Sequence, residues 1–508
     1  MRPSKKRLDG DTARDTVDPE LTRSAVRSHA ASGVALMLGR GMAFRMLGLL
    51  GNLALARLLV PEDFGLVAIG LTVINVGQLL ASSGIGVQFI TRAEPPTHAE
   101  LRAIVGLQLA ATSALGLITA VIAGLIGGDA LVTAVMMFAL PITAIRSPAT
   151  LLFSRRMEFS RTVRIEITEI ITYLVFSIAA AFCGLGVWSL ALATLLRSVA
   201  GAYVAVRLSP AGLVLPSWDV ARVRSIFGFG ARFQATSTVQ IGHDAALTAG
   251  IGIVAGLTTV GLWSFAGRIL QLPHLLFDAL HTIGMPAFSR LHDAGEDPAA
   301  VRELVERLVN VVAIAAAGVM CPIVAASPAA VPLLFGENWS GVSDILPGAG
   351  FAIVLSGPIA IVVYGLMYAR GDAKTPLRAS VAHVLVRIPM TLSLLPVVGP
   401  AAIGIGWVGG VVAEMPITLP SLRRLIGARL LRWVLPPCAC ATLATTTGWF
   451  VAQALDVTVV SVVAAASIAV GGYLLLMLLF ARRSLTRAAV LLRGAWHAGR
   501  RRAPVPAA

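Results

Sequence analysis

Residues 31–58 read ASGVALMLGRGMAFRMLGLLGNLALARL, and the only charged side chains in that run are Arg40, Arg45 and Arg57. A helix crosses the roughly 30 Å hydrocarbon core of a bilayer with about 20 apolar residues. The stretch is therefore long enough to span, and it takes guanidinium groups into the span with it. Both properties recur along the chain. Apolar runs predict thirteen further helices, at 65–90, 103–126, 130–145, 165–183, 187–206, 225–254, 261–283, 308–326, 345–368, 379–395, 401–420, 433–451 and 458–481. With 56% hydrophobic residues, 13% charged residues and a mean hydropathy of +0.82, the chain reads as an all-α polytopic membrane protein of about 14 transmembrane helices. Its net charge of +15 does not point to nucleic acid, because the basic residues sit at the ends of apolar spans.

The connecting segments alternate in charge without exception. The N-terminal tail, 91–102, 146–164, 207–224, 284–307, 369–378, 421–432 and the tail from 482 hold 34 of the 41 lysines and arginines, and the other seven connections hold none. Positive loops stay on the cytoplasmic side, so both termini are expected there and the number of spans is even. Met1–Arg27 is polar, with no apolar stretch before Ala30, and the first span is expected to direct insertion itself. The outer connections are short. The longest, 327–344, holds Gly336-Glu337-Asn338-Trp339 and suits a capping turn rather than a catalytic domain.

Helices 1–6 and 7–12 each follow a basic segment, and each half has a glycine-led second helix, at Gly65 and at Gly261. Six spans per half predicts two six-helix lobes related by a parallel pseudo-repeat about an axis along the membrane normal. The expected organisation is a basic tail (1–28), an N-terminal lobe (29–207), a linker (208–224), a C-terminal lobe (225–425), an appended helix pair (426–481) and a basic tail (482–508) that lies on anionic headgroups.

Seven arginines fall inside spans: Arg40, Arg45, Arg57, Arg197, Arg232, Arg268 and Arg387. Facing lipid, they would together cost on the order of 20 kcal/mol, so they are expected to face protein or water. Three acids lie at comparable depth, Asp244, Asp278 and Glu414, which leaves a positive interior suited to an anion. Arg40 and Arg45 point about 140° apart on helix 1. Arg57, near the end of its span, is able to snorkel. Arg197 and Arg387 are open to structural pairing or to a ligand. Arg268 lies toward the outer third, where it could receive an anionic group late in transit.

Arg232 and His243 lie within about 20° of one face of helix 7. His243 beside Asp244 could exchange a proton or cation. His274, Asp278 and His281 share a face of helix 8, a spacing that resembles half a metal site; with no further ligand it reads as a polar stripe, and neither metal nor cofactor is expected. Asn75 and Gln78, a turn apart on helix 2, could hydrogen-bond the hydroxyls of a polar ligand or neighbouring helices. Glu166 and Glu169 are expected to pair locally with Arg161 and Arg164. Cys183, Cys321, Cys438 and Cys440 read as small core residues.

The run Leu55-Ala56-Arg57-Leu58-Leu59-Val60-Pro61-Glu62-Asp63-Phe64-Gly65 resembles the signature of the polysaccharide-export flippases (Wzx-type) of the multidrug/oligosaccharidyl-lipid/polysaccharide exporter superfamily. Further likeness lies in Gly261-Leu262-Trp263-Ser264-Phe265-Ala266 with Pro273, in Pro286-Ala287-Phe288-Ser289-Arg290-Leu291 and in Phe335-Gly336-Glu337-Asn338-Trp339. The family usually has asparagine where this chain has His243. The resemblance implies a flippase of the bacterial cytoplasmic membrane that moves undecaprenyl-pyrophosphate-linked oligosaccharide by alternating access, through a cavity between two lobes lined with cationic residues. Arg40, Arg45, Arg232, Arg268, Asn75 and Gln78 are the expected cavity contacts, and His243, Asp244 and Asp278 the expected ion-coupling groups. Membrane lipids and the polymerase and glycosyltransferases of the same pathway are the expected partners. A lipid II-type flippase needs the same diphosphate contacts. A cation-coupled drug exporter fits less well, since arginines repel cationic cargo. A membrane glycan polymerase or ligase would need catalytic groups in a sizeable outer loop.

Overall fold

The computed structural model describes residues 46–48, 50–82, 89, 94–218, 235–273, 277, 298–369, 372, 374–427 and 429–488, some of them by backbone alone. Twelve helices among the described residues are long and apolar enough to cross a membrane. One of the twelve is interrupted: Ala235–Leu270 holds Gly256 at φ 78°, ψ 178°, outside helical geometry. Glycine alone adopts that backbone without strain, and it falls in the predicted connection between spans 7 and 8. A shorter apolar helix, Met46–Leu58, precedes the twelve.

All fourteen predicted spans thus have a helix. They are α1 (Met46–Leu58), α2 (Pro61–Ser82), α3 (His98–Ile126), α4 (Ala130–Arg155, offset at Phe138), α5 (Phe159–Phe182), α6 (Val187–Leu208), α7 (235–255) and α8 (257–270), then α9 (Pro298–Phe335), α10 (Gly341–Ala369), α11 (Lys374–Val398), α12 (Ala401–Ile426), α13 (Leu431–Ala454) and α14 (Val459–Phe480). The protein is an all-helical, multi-pass membrane protein.

Local chemistry sets several of the ends. Thr97 and Glu100 form a reciprocal capping box at the start of α3, satisfying backbone N–H groups that would otherwise be orphaned. Asp372 does the same for α11, accepting from the backbone N–H of Lys374 and of Thr375 at 3.1 Å each. Gly427 ends α12 in the left-handed region at φ 69°.

The chain forms two compact units, Met1–Gly252 and Ile253–Ala508. Their division falls in α7, after the stretch 208–224 that sequence spacing marks as the linker. The first part of that stretch packs within unit 1 instead. Val214 joins the buried cluster of Phe89, Leu101, Ile104, Val105, Leu151 and Leu152. Ser217 N donates to Arg102 O at 2.9 Å, and Arg102 Nε donates to Leu215 O at 3.3 Å. The absence of a side chain at Gly106 leaves room for the Ser217 carbonyl.

In unit 2, α12 packs closely because its face is glycine. Gly404 lies against the backbone of Gly348 on α10, and Gly406 against Thr391 on α11, the close approach that small residues allow in membranes. The predicted outer loop 327–344 is mostly helical. α9 continues through Pro328 and Pro332 to Phe335, and only the turn around Gly336 (φ 104°) and the short 3-10 helix Glu337–Trp339 separate it from α10. Burial explains the extension: Trp339 is 1% exposed and packs on Phe265 and Phe335, with Phe265's ring 4.5 and 4.7 Å from theirs, so the turn closes onto aromatic core.

The predicted basic tail begins docked. Asn310 Nδ2 donates to Ser484 O at 2.9 Å, and Arg487 stacks 4.1 Å from the Trp433 ring, whose Nε1 donates to Glu306 at 3.1 Å. Three of the four cysteines are buried as expected, but Cys183 caps α5 and is exposed.

Candidate functional site

Unit 1 contains a polar cavity of about 170 Å³ among α2, α3 and α4. Gln78 comes from α2, Gln108 and Thr112 from α3, and Thr143, Arg146, Ser147 and Thr150 from α4. Its depth is regular. Gln108 is ten residues from the start of α3 and Arg146 nine from the end of α4, about 15 Å along each helix axis from the side bearing the basic loops. Glu169, ten residues into α5, reaches the same depth and forms an ion pair with Arg146. Gly201 on α6 lacks the side chain that would occupy the position of Glu169 Oε1.

This pairing corrects the expectation that Glu169 is neutralised by its own helix. Arg161 lies two turns away and Arg164 about 140° around the helix, so neither reaches it. Arg161 turns to Glu158 instead, Nε to Oε2 at 3.0 Å, and donates to the carbonyl of Leu208 at 2.8 Å. Arg146 itself escaped the sequence reading because the apolar run ends at 145 and places it in a loop. The helix runs ten residues farther. A polar residue at one depth on adjacent helices was the available signal.

The hydroxyls of the cavity divide in two. Thr112, Thr143 and Thr150 donate to carbonyls of their own helices, at 2.6 Å to Gln108, 2.7 Å to Leu140 and 3.0 Å to Ser147, which leaves their oxygens open as acceptors. Beyond Thr112, the same region of α3 and α4 lines an apolar cavity of about 340 Å³ with Leu117, Met137 and Phe138, so the polar compartment ends there.

A second cluster lies in unit 2. The Arg387 side chain, 5% exposed, lies against two indoles: its Cζ is 4.2 Å from the Trp407 ring centre and 5.5 Å from that of Trp263. One turn before it on α11, His383 Nδ1 is 3.5 Å from Glu414 Oε2 on α12, and the Tyr364 hydroxyl donates to the same oxygen at 3.3 Å. Gly410 gives both His383 and Arg387 room. Sequence reasoning identified Arg387 and Glu414 but missed His383 and Tyr364. The four-residue spacing of His383 and Arg387 was the signal on α11.

Among the predicted site residues, Arg40, Arg45, Arg232 and Asp278, with His274 and His281, lie outside the described residues. Gln78 is exposed into the polar cavity, while Asn75 is exposed but does not line it. Arg268 is half-buried in unit 2, and Arg57 is exposed. Arg197 rests 5.3 Å from the Tyr173 ring centre. His243 is buried, with Nδ1 3.0 Å from Asp244 Oδ1. Described residues therefore bring Gln78 to a site and keep His243 with Asp244. They set Arg268 and Arg387 in the other unit.

The family described as "Polysaccharide biosynthesis protein" matches residues 54–344, and that described as "Lipid II flippase MurJ" matches residues 254–478. The lipopolysaccharide biosynthesis protein WzxC of Escherichia coli (strain K12) is 24% identical over 315 residues, which cover 59% of this chain and 62% of that one. The succinoglycan biosynthesis transport protein ExoT of Rhizobium meliloti (strain 1021) is 24% identical over 306 residues, covering 58% and 60%. The chain thus spans less than two thirds of the length of either relative. A structure of the lipid II flippase MurJ in an inward closed conformation superposes with a TM-score of 0.69 at 14% identity, covering 89% of this chain and 100% of that one. An inward-facing multidrug resistance MATE family transporter gives 0.55 at 16% identity, covering 75% and 94%. At these identities the likeness is one of fold.

Proposed function

Because the chain belongs to the polysaccharide biosynthesis protein family, we propose that it is a flippase rather than a catalyst, carrying lipid-linked oligosaccharide across the bacterial cytoplasmic membrane by alternating access. The observation that carries this reading is the polar cavity of unit 1, held by three helices long and apolar enough to cross a membrane. Uncommitted amides on such helices are expensive, and a polar headgroup in transit repays them. Both termini lie in the cytoplasm on this reading, as the basic loops require. The names of WzxC, ExoT and MurJ, for lipopolysaccharide biosynthesis, succinoglycan transport and lipid II flipping, support it.

In this mechanism the cytoplasm-facing state admits the headgroup. Arg40, Arg45, Arg232 and Arg268 replace water around the diphosphate through charge-assisted hydrogen bonds. The prenyl tail stays in lipid while the lobes exchange access. Net movement requires different affinities in the two facing states, and a coupling ion supplies the bias. His243 with Asp244, and His383 with Glu414, are the described pairs proposed for that coupling.

The test is reconstitution of the full chain in vesicles with a fluorescent prenyl-pyrophosphate-linked oligosaccharide, scoring the fraction that becomes inaccessible to an external quencher or glycosidase. Translocation above that of protein-free vesicles is the expected result, slowed when Arg232 and Arg268 are replaced by alanine. Equal rates with and without protein reject the reading.

A further inference from the structure

We propose that the unit 1 cavity is a subsite for the uncharged sugar hydroxyls of the lipid-linked saccharide, separate from the contacts that hold its diphosphate; the proposal rests on the flippase reading above. Charge and hydrogen-bonding inventory carry the argument.

The one cation on the cavity wall, Arg146, is matched by the carboxylate of Glu169. A phosphate entering there would gain the guanidinium and meet the carboxylate at the same place, so the local field gives an anion little net attraction. A neutral ligand meets no such penalty. The remaining wall offers donors and acceptors in near balance. The side-chain amides of Gln78 and Gln108 each bring a donor pair and an acceptor, and neither is hydrogen-bonded to another described residue. The oxygens of Thr112, Thr143 and Thr150 remain as acceptors once their protons are given to the backbone, and the Ser147 hydroxyl can do either. Groups that both give and take hydrogen bonds, at close spacing and without net charge, match the vicinal hydroxyls of a saccharide.

Two uncommitted amides on membrane-crossing helices must also meet water or ligand, since hydrocarbon leaves them unsatisfied. The cavity has room for several waters, and a sugar ring that displaces them while reproducing their hydrogen bonds keeps its affinity. The apolar cavity beyond Thr112 closes the compartment to further polar groups.

The experiment compares two lipids in vesicles holding the full chain: a prenyl-pyrophosphate-linked oligosaccharide and the same prenyl pyrophosphate without sugar. Replacing Gln78 and Gln108 together by leucine is expected to raise the half-saturating concentration of the glycosylated lipid by about thirtyfold, since two lost hydrogen bonds to a sugar at about 1 kcal/mol each come to about 2 kcal/mol. Movement of the bare pyrophosphate should stay within about twofold of the parent. Equal effects on both lipids, or no effect on either, overturn the subsite. A Ser147→Cys variant in a Cys183→Ala background gives a reading that does not depend on the leucine variants folding. Its labelling by a small permeant thiol reagent should be slowed by the glycosylated lipid and unchanged by the bare one. Equal protection by both would also overturn the proposal. If the parent protein moves neither lipid, the transport reading itself fails, and that result is distinct from selective failure of the sugar arm.

Discussion

Arg146 and Arg387 are two arginines on membrane-crossing helices, held by different means. Arg146, half-buried in unit 1, has a carboxylate from the next helix; Arg387, almost fully buried in unit 2, has the faces of two indoles. A carboxylate cancels charge, whereas a ring only orients its quadrupole toward it. The first arrangement makes a neutral compartment whose remaining groups can read hydroxyls. The second fixes a cation in place, and the nearby carboxylate, Glu414, is shared by a histidine and a tyrosine. Removal of the partner should therefore cost more in unit 1. Glu169→Leu leaves Arg146 facing an apolar neighbour, and the expected loss is about 2–3 kcal/mol of stability, measured as the shift in thermal unfolding of the detergent-solubilised protein. Arg146→Met combined with Glu169→Leu should recover most of it, because the charge goes with its partner. An unshifted midpoint for Glu169→Leu alone would break the comparison.

In unit 2 the matching change is Trp407→Leu. It removes the nearer of the two rings, and a desolvated cation–π contact is worth about 2 kcal/mol, so the expected loss is somewhat smaller than for Glu169→Leu. Trp407→Phe keeps an aromatic face and should lose about half as much. If phenylalanine is no better than leucine in the same unfolding measurement, the indole acts by bulk and Arg387 owes its position to other neighbours.

These two sites also differ in how far they could be read in advance. The fourteen spans were legible because apolar length and the alternation of basic loops are properties of composition over whole segments. The break at Gly256 and the turn at Gly336 were foreseen as connections. The ion pair was not, since the apolar run stops one residue before Arg146 while helical hydrogen bonding continues to Arg155; a charged residue compensated from another helix looks like the start of a loop. Arg387 was visible as a span residue, yet its shelter depends on Trp263 and Trp407, which belong to distant parts of the chain. The packing of the stretch after α6 and the extension of α9 were not legible for one reason: Val214 and Trp339 are buried, and Ser217 is hydrogen-bonded to Arg102, by tertiary packing, which composition does not register.

A finer probe of the unit 1 arrangement lies opposite it. A methyl group at position 201 would take the space of Glu169 Oε1. The carboxylate is the end of a flexible chain and will swing aside, away from Arg146, so Gly201→Ala is expected to lose about 1 kcal/mol. In a Glu169→Ala/Arg146→Met background, which also removes the Cγ and Cδ 2.7 Å from that position, the sign should reverse, since alanine in a helix is better than glycine by about 0.5–1 kcal/mol. That reversal in a double-mutant cycle is a coupling that simple crowding does not give. An identical loss in both backgrounds would place the strain in the helix contact instead of the ion pair.

The smallest effect comes from a carboxylate doing a comparable task outside the span. Asp372 accepts from the hydroxyl of Thr375, at 2.7 Å, and from the backbone N–H groups of Thr375 and Lys374; the Thr375 hydroxyl first, then those N–H groups, hold its carboxyl below the ordinary value of 3.8. A lowered value in the folded state means that the ionised form is the stabilising one. Its contribution is complete above the ordinary carboxylate range and is lost as pH falls through the lowered value, so it fades only below about pH 4. Asp372→Ala should cost about 0.5–1 kcal/mol at neutral pH, the usual worth of such a cap, and the gap between variant and parent midpoints should close under acid. A neutral-pH loss for Asp372→Ala as large as that for Glu169→Leu would mean that membrane depth is not what separates the two carboxylates.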